Sequence, residues 1–186
     1  MNGDDVPKQQ ITAPSLGGQL LAAGLTFAGY SEDLPSAGSL TLKSGEYARK
    51  HNPWSDFTDV PAGDNLRFAD FPKDFTKLPT VSFVVPNQLN DMHSGLVRTG
   101  DQWLLKHMRS YARWAPKHNS LLVVTWDEGH GSGNQIPTVI TGAGVKHGMK
   151  KQFVNHYSLL RTIEDMYGLP PLGNAAGAQP MTSAFG

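Results

Sequence analysis

The sequence predicts an α/β layered fold with a mainly parallel sheet. Three observations predict it. The strongest apolar runs, "TVSFVVP" (80–86) and "SLLVVTW" (120–126), lack the period-two alternation of a half-solvated strand, so both sheet faces should be covered. Helix and strand signals interleave along the chain: helix, strand, long loop, strand, helix, strand, strand, helix. Polar clusters follow two of the strands, and in such sheets ligands bind beyond the C-terminal strand ends.

The first helix is read from "TAPSLGGQLLAAG". Ser15 is its N-cap, Leu16, Leu20 and Leu21 form its apolar stripe, and Gly24 closes it. Gly17 and Gly18 weaken it, each by up to about 1 kcal/mol relative to Ala. "LTFAGYS" follows as a short strand. Residues 31–78 are irregular, broken by Pro35, Pro53, Pro61 and Pro72. Such a loop inside a compact domain is functional or a lid unless it is disordered. Its aromatics (Tyr47, Trp54, Phe57, Phe68, Phe71 and Phe75) argue against disorder.

After the strand at 80–86 comes the polar segment "NQLNDMHSG". The next helix is predicted over 101–115, with Asp101 near its start. Trp103, Leu104, His107, Met108, Tyr111 and Ala115 fall at helical spacing, and Pro116 ends it. "SLLVVTW" and "IPTVIT" (136–141) are the next strands, with Pro137 early enough to spare the ladder. The last helix is predicted over 155–168, with Tyr157, Leu160, Ile163 and Tyr167 or Met166 facing the core and Gly168 as its stop. The tail after Leu172 is small and polar, and fraying is expected. No internal repeat or linker divides the chain, so 1–186 is read as a single domain.

Composition narrows the function. The chain has 186 residues, with 16 Lys+Arg against 16 Asp+Glu, so it lacks the basic excess of a nucleic-acid binder. Cysteine is absent, which removes disulfides, thiolate metal sites and a Cys nucleophile. "MNGDDVPKQQ" has no apolar h-region and is not a signal peptide. No apolar run approaches the about 18 residues of a membrane helix.

The two polar clusters hold the chemistry. Asn87, Asp91 and His93 follow the first buried strand. Asp127, Glu128 and His130 follow the second. If those strands are neighbours, the clusters meet at one edge, where carboxylates and imidazoles suit Mg²⁺, Mn²⁺, Fe or Zn²⁺. Such a metal polarises a phosphoryl oxygen. Plainer readings stand beside these: Asp91 as a turn cap, His93 as a surface histidine, Asp127-Glu128 as an exposed turn. Adjacent acids ending so apolar a strand nevertheless call for a cation or donors nearby. The glycines of "DEGHGSGNQ" have no following Lys-Ser/Thr, so they are not a P-loop, and flexibility is their safer meaning. No G-x-S-x-G elbow occurs. His51, beside Lys50, is either an anion contact or half of a solvated pair. His156, opening the last helix, is read as orienting or capping rather than ligating.

Taken together, "YARKHNPW", "LPTVSFVVPNQLNDMHSG", "GDQWL", "NSLLVVTWDEG", "NQIPTVITGAGVKHG" and "NHYSLLRTIEDMYGLP" stand in a recognisable order. Over about residues 13–175 the chain resembles the phosphoesterase family of bacterial acid phosphatases related to phosphatidylcholine-type phospholipase C, within the alkaline phosphatase superfamily. The resemblance implies an alkaline-phosphatase-like core and hydrolysis of small-molecule phosphate esters through a Ser or Thr nucleophile. It implies that Asp127 and Glu128 are metal-site residues for a divalent ion. It further implies that His93 and His51 are catalytic or phosphate-contacting groups, and that Asn87 and Asp91 shape the substrate pocket. Family members are often exported.

There are two departures from the family pattern. Gly129 and His130 stand where the family often has another acid. The family's "Glu-Asn" metal strand and His-Pro-Ser-type nucleophile segment are not found before Ser15. The expectation is therefore a core lacking its N-terminal part, resembling the C-terminal portion of such an enzyme. Two rival expectations are a non-catalytic domain that binds phosphate or metal, and a phospholipase C-like phosphodiesterase. Opened strand edges would favour a homo-oligomer.

Overall fold

The computed structural model describes residues 10–186. Its first helix is Leu16–Ala22 (α1), which forms despite Gly17 and Gly18 because its N-cap is firmly held. The Ser15 hydroxyl accepts from Gly18 N at 3.0 Å and donates to Asp59 Oδ1 at 2.8 Å. The strand Phe27–Ser31 (β1) follows and is buried at every position. Two short strands, Lys43–Ser44 (β2) and Tyr47–Ala48 (β3), form a small antiparallel ribbon. The strands Asn65–Arg67 (β4) and Val81–Val85 (β5) then pair with β1 on its two sides, both parallel.

The sheet order is β4-β1-β5, so all three C-terminal ends lie at one edge. Register runs from Phe27 opposite Val81 to Ser31 opposite Val85, and from Gly29 opposite Asn65 to Ser31 opposite Arg67. The core beneath consists of Leu20, Phe27, Trp54 and Leu169, flanked by Leu16, Leu25, Val60, Val81 and Val85. Each fully buried side chain of this kind contributes about 1.5–3 kcal/mol of transfer free energy.

The stretch 31–78 is ordered by polar contacts as well as by its aromatics. Arg49 is buried, pairs with Asp56 at 2.6 Å, and donates to Ser55 Oγ, Ser55 O and Leu40 O. A buried charge persists only when it is paired and hydrogen-bonded in this way. Trp54 lies on β1 at Gly29, where a Cβ would come within 2.0 Å of the indole ring. Only glycine lets the ring approach the strand so closely.

The second long helix spans Val97–Trp114 (α2), four residues earlier at its start than the pattern predicts. It packs on Leu121–Thr125 (β6) and Thr138–Gly142 (β7), and Tyr111 Oη donates to Leu121 O at 3.2 Å. β6 and β7 pair with each other as an antiparallel hairpin. The strands at 80–86 and 120–126 are therefore not paired: β1 takes the first and β7 takes the second.

The last helix is His156–Tyr167 (α3). It starts in a capping box between Asn155 and Ser158, and Gly168 caps its end with φ 64°. Its apolar face is only partly the one expected. Leu160 and Ile163 are half-buried, but Tyr157, Met166 and Tyr167 are substantially exposed, and the buried positions are Ser158, Thr162 and Glu164. The tail explains this, because it docks instead of fraying. Met181 N donates to Thr162 Oγ1 at 2.8 Å, Leu172 N donates to Glu164 Oε1 at 2.8 Å, and Ala175, Met181 and Ala184 are buried.

Candidate functional site

The site is built at the edge where the parallel strands end. β1 runs into Glu32 and Asp33, and β5 runs through Pro86 into Asn87. Glu32 Oε2 accepts from Asn87 N at 3.0 Å and from Asn90 Nδ2 at 2.9 Å, strapping the two strand ends together. Asp33, in the left-handed region at φ 61°, accepts from Asn87 Nδ2 at 2.7 Å. Asn87 Oδ1 in turn takes the amide protons of Leu89 and Asn90, fixing the turn that follows. Asn87 thus spends its amide group on shaping this edge.

That turn delivers Asp91, Met92 and His93. Met92 has φ 77°, rare for an unbranched apolar residue and a mark of local strain. Packing holds it there: its side chain lies where a Cβ on Gly100 of α2 would sit, within 2.5 Å of Cε. With Met92 pinned to the helix, His93 N donates to Asp91 Oδ1 at 2.8 Å. The other oxygen, Asp91 Oδ2, lies 3.0 Å from His51 Nδ1. The His51 and His93 rings meet edge to face, with centroids 5.7 Å apart. Both members of the His51–Asp91 pair keep slightly under a fifth of their side-chain surface open to solvent.

His51 reaches this edge because the residue after it is anchored. Asn52 is fully buried. Its Oδ1 accepts from Ser31 Oγ, and its Nδ2 donates to Tyr47 Oη at 3.1 Å and Asn65 Oδ1 at 2.9 Å. Trp54 Nε1 donates to the same Asn65 oxygen at 3.0 Å. Burial raises the Tyr47 phenol above its ordinary value, although its Asn52 hydrogen bond works against the shift, so the phenol remains protonated. Asn52-Pro53-Trp54 therefore serves as the peg that fixes His51 opposite Asp91. An open cleft of about 340 Å³, lined by Glu32, Asp33, Leu34, Pro35, Arg67, Phe68 and Ala69, adjoins this edge.

Asp127 and Glu128 lie elsewhere. They are exposed on the β6–β7 hairpin connection. The loop is organised by one contact of its own and one from α3: Gly129 N donates to Asn134 Oδ1 at 2.7 Å, and His156 Nε2 lies 2.7 Å from Asp127 O. His156 thus orients, as the sequence predicts. The shared strand edge on which the two polar clusters were expected to meet is not formed, because β6 pairs with β7 and not with β5. Direct contacts link His51, Asp91 and His93 next to Asn87. Among the described residues no group of three or more His, Asp or Glu side chains could hold a metal ion. The two carboxylates alone fall short of the donor set a closed divalent centre needs.

Sequence reasoning overlooked Glu32, Asp33 and Asn52. The first two carried a usable signal, since adjacent acids end the apolar run "LTFAGY" just as Asp127 and Glu128 end "SLLVV". Asn52 carried none, because a buried amide cannot be told from a loop amide in one sequence.

A family model described as "Phosphoesterase family" matches residues 1–170. A phosphatidylinositol-3-phosphatase of Mycobacterium tuberculosis is 52% identical over 176 residues, covering 93% of this chain and 59% of that protein. A probable acid phosphatase of Kluyveromyces lactis is 29% identical over 181 residues, covering 83% and 42%. A phosphate-repressible acid phosphatase of Penicillium chrysogenum is 30% identical over 165 residues, covering 77% and 40%. The chain thus spans between 40% and 59% of the length of these relatives. No solved structure matches.

Proposed function

Because the chain belongs to the phosphoesterase family, we propose that it forms the phosphate-handling part of a phosphoric ester hydrolase of the acid phosphatase type. The observation that carries this reading is the His51–Asp91–His93 cluster at the ends of β1 and β5. Asp91 engages Nδ1 of His51, which leaves Nε2 as the ring atom available to a ligand. In this role His51 holds a proton for the oxygen that leaves phosphorus when the P–O ester bond breaks. His93 is a second donor to the phosphoryl oxygens, and Asp91 is the positioning residue for both.

The attacking Ser or Thr hydroxyl lies outside this cluster in our reading. Asp127 and Glu128 supply at most two carboxylates to a divalent ion, so no step is routed through a metal here. The substrate class proposed is a phosphate monoester, and the relative named as a phosphatidylinositol-3-phosphatase makes a phosphorylated inositol the first to try.

The test separates binding from turnover. Inorganic phosphate should bind the chain by calorimetry, and His51→Ala and His93→Ala should each remove that binding. Hydrolysis of p-nitrophenyl phosphate should be weak or absent. Phosphate binding untouched by both substitutions would sink the site assignment. Robust hydrolysis lost on His93→Ala and on Asp127→Asn would overturn the placement of the nucleophile outside the cluster.

A further inference from the structure

The loop between β7 and α3 carries a feature that the catalytic reading does not use. Met149 and Phe153 are 93% and 88% exposed, more than any other large apolar side chain among the described residues. They are not loose ends. Lys146 N donates to Ala184 O at 2.9 Å. Gln152 Nε2 donates to Pro180 O at 2.9 Å, and Ser183 Oγ donates to Gln152 Oε1 at 2.6 Å. The loop is thus tied to the docked tail on both sides of Met149, through the Lys146 backbone and the Gln152 side chain, and the two apolar tips stand out in solvent.

Charge along the loop has one sign. Lys146, Lys150 and Lys151 are exposed on the same loop. From Gly129 to Ile163 the sequence holds four Lys+Arg and no Asp or Glu, although the whole chain is balanced. Arg161, the fourth cation, is held by Asp165 at 2.7 Å, so the loop lysines are the charge the segment displays. Two copies meeting at this loop would bring lysine against lysine. An anionic bilayer meets both halves of the pattern. Aromatic and thioether tips enter the headgroup–acyl boundary, while ammonium groups remain among the lipid phosphates.

We propose that residues 146–153 form a docking loop for anionic lipid surfaces, with Phe153 and Met149 inserting and Lys146, Lys150 and Lys151 contacting headgroups. The loop acts at the interface and spans nothing; among the described residues no helix is long and apolar enough to cross a membrane. The proposal does not depend on hydrolysis.

The test uses the full chain with vesicles of phosphatidylcholine alone or mixed with phosphatidylserine, free of phosphorylated inositol. Co-sedimentation should occur with the mixed vesicles, weaken as salt is added, and be minimal with phosphatidylcholine alone. Each lysine near an anionic leaflet contributes roughly five-fold in partitioning. Lys150→Gln with Lys151→Gln should therefore lower binding roughly 25-fold. Phe153→Ser should lower it by about ten-fold or more, with the circular dichroism and Tm unchanged because the side chain is outside the core. In Phe153→Trp, indole emission should shift to the blue when mixed vesicles are added. Binding indifferent to these changes, or no binding to mixed vesicles, overturns the proposal. So does concentration-dependent dimerisation that Phe153→Ser disperses, since a second copy would then be what covers the loop.

Discussion

Replacing Asn52 by alanine should unfold the protein far more easily than a loop position suggests. Asn52 is completely buried, and its amide satisfies Ser31 Oγ, Tyr47 Oη and Asn65 Oδ1. After truncation, Asn65 Oδ1 keeps Trp54 Nε1, but Ser31 and Tyr47 lose their partner. A buried polar group left unpaired costs about 1–3 kcal/mol. Two such groups give a loss of roughly 3 kcal/mol once partial relaxation is allowed. For a chain of this size that corresponds to a fall in Tm of roughly 6–12 °C. Thermal unfolding followed by circular dichroism reads it directly. A thermodynamic cycle with Ser31→Ala adds a sharper check. The two substitutions delete one shared hydrogen bond, so their combined loss must be clearly smaller than the sum. A loss under about 1 kcal/mol for Asn52→Ala, or a strictly additive cycle, would refute the view that this amide network holds His51 in place.

Other outcomes follow from single contacts. Gly29→Ala places a methyl group within 2.0 Å of the Trp54 ring, and overpacking of this kind costs about 1–3 kcal/mol. The denaturant midpoint should fall without a change in slope, and an unchanged midpoint would mean that Trp54 does not lie on β1. Burial raises the Glu164 carboxyl above its ordinary value, the bond from Leu172 N only partly opposing it. The folded chain then holds that proton more tightly than the unfolded one. Its contribution is complete below the unfolded-state value and is lost as pH rises through the higher folded-state value. Glu164→Gln should therefore melt above the parent at neutral and alkaline pH, with the advantage vanishing in acid. A variant less stable at every pH would show that the charge is needed.

The elements were legible where a local signal was strong. "TFAGYS", "TVSFVV" and "LLVVT" each contain a strand, and Ser15 and Gly168 bound helices as their chemistry predicts. Pairing was not legible. An apolar run marks a strand, but neither how deeply it is buried nor which strand lies beside it: β5 and β6 are only half-buried, and Phe83 is 40% exposed. The edge on which Asp127 and Glu128 were expected to meet the histidines rested on a β5–β6 pairing that is not formed. The start of α2 was missed for a related reason. Asp101 looks like a beginning, but the helix starts at Val97, capped by Leu96 without a side-chain bond, and Gly100 then lies under Met92. The face of α3 was misread because the tail gives Thr162 and Glu164, and the capping box gives Ser158, a buried use that periodicity cannot register. His51, Asp91 and His93 were found as residue types in suggestive motifs. Their union depends on a peg at Asn52 and a strap at Glu32, both of which act across long stretches of chain.

The central position of β1 has a kinetic meaning. Its partners β4 and β5 lie on either side in space but well downstream in sequence: Gly29 pairs with Asn65 and Phe83. Pairings of such separation close large loops before any contact rewards them, which slows folding and places sheet completion late. His51 and Asp91 can face each other only after both closures have occurred. A nascent or partly opened chain therefore has no weakened version of this cluster, and phosphate binding at the proposed site would report completion of the entire sheet.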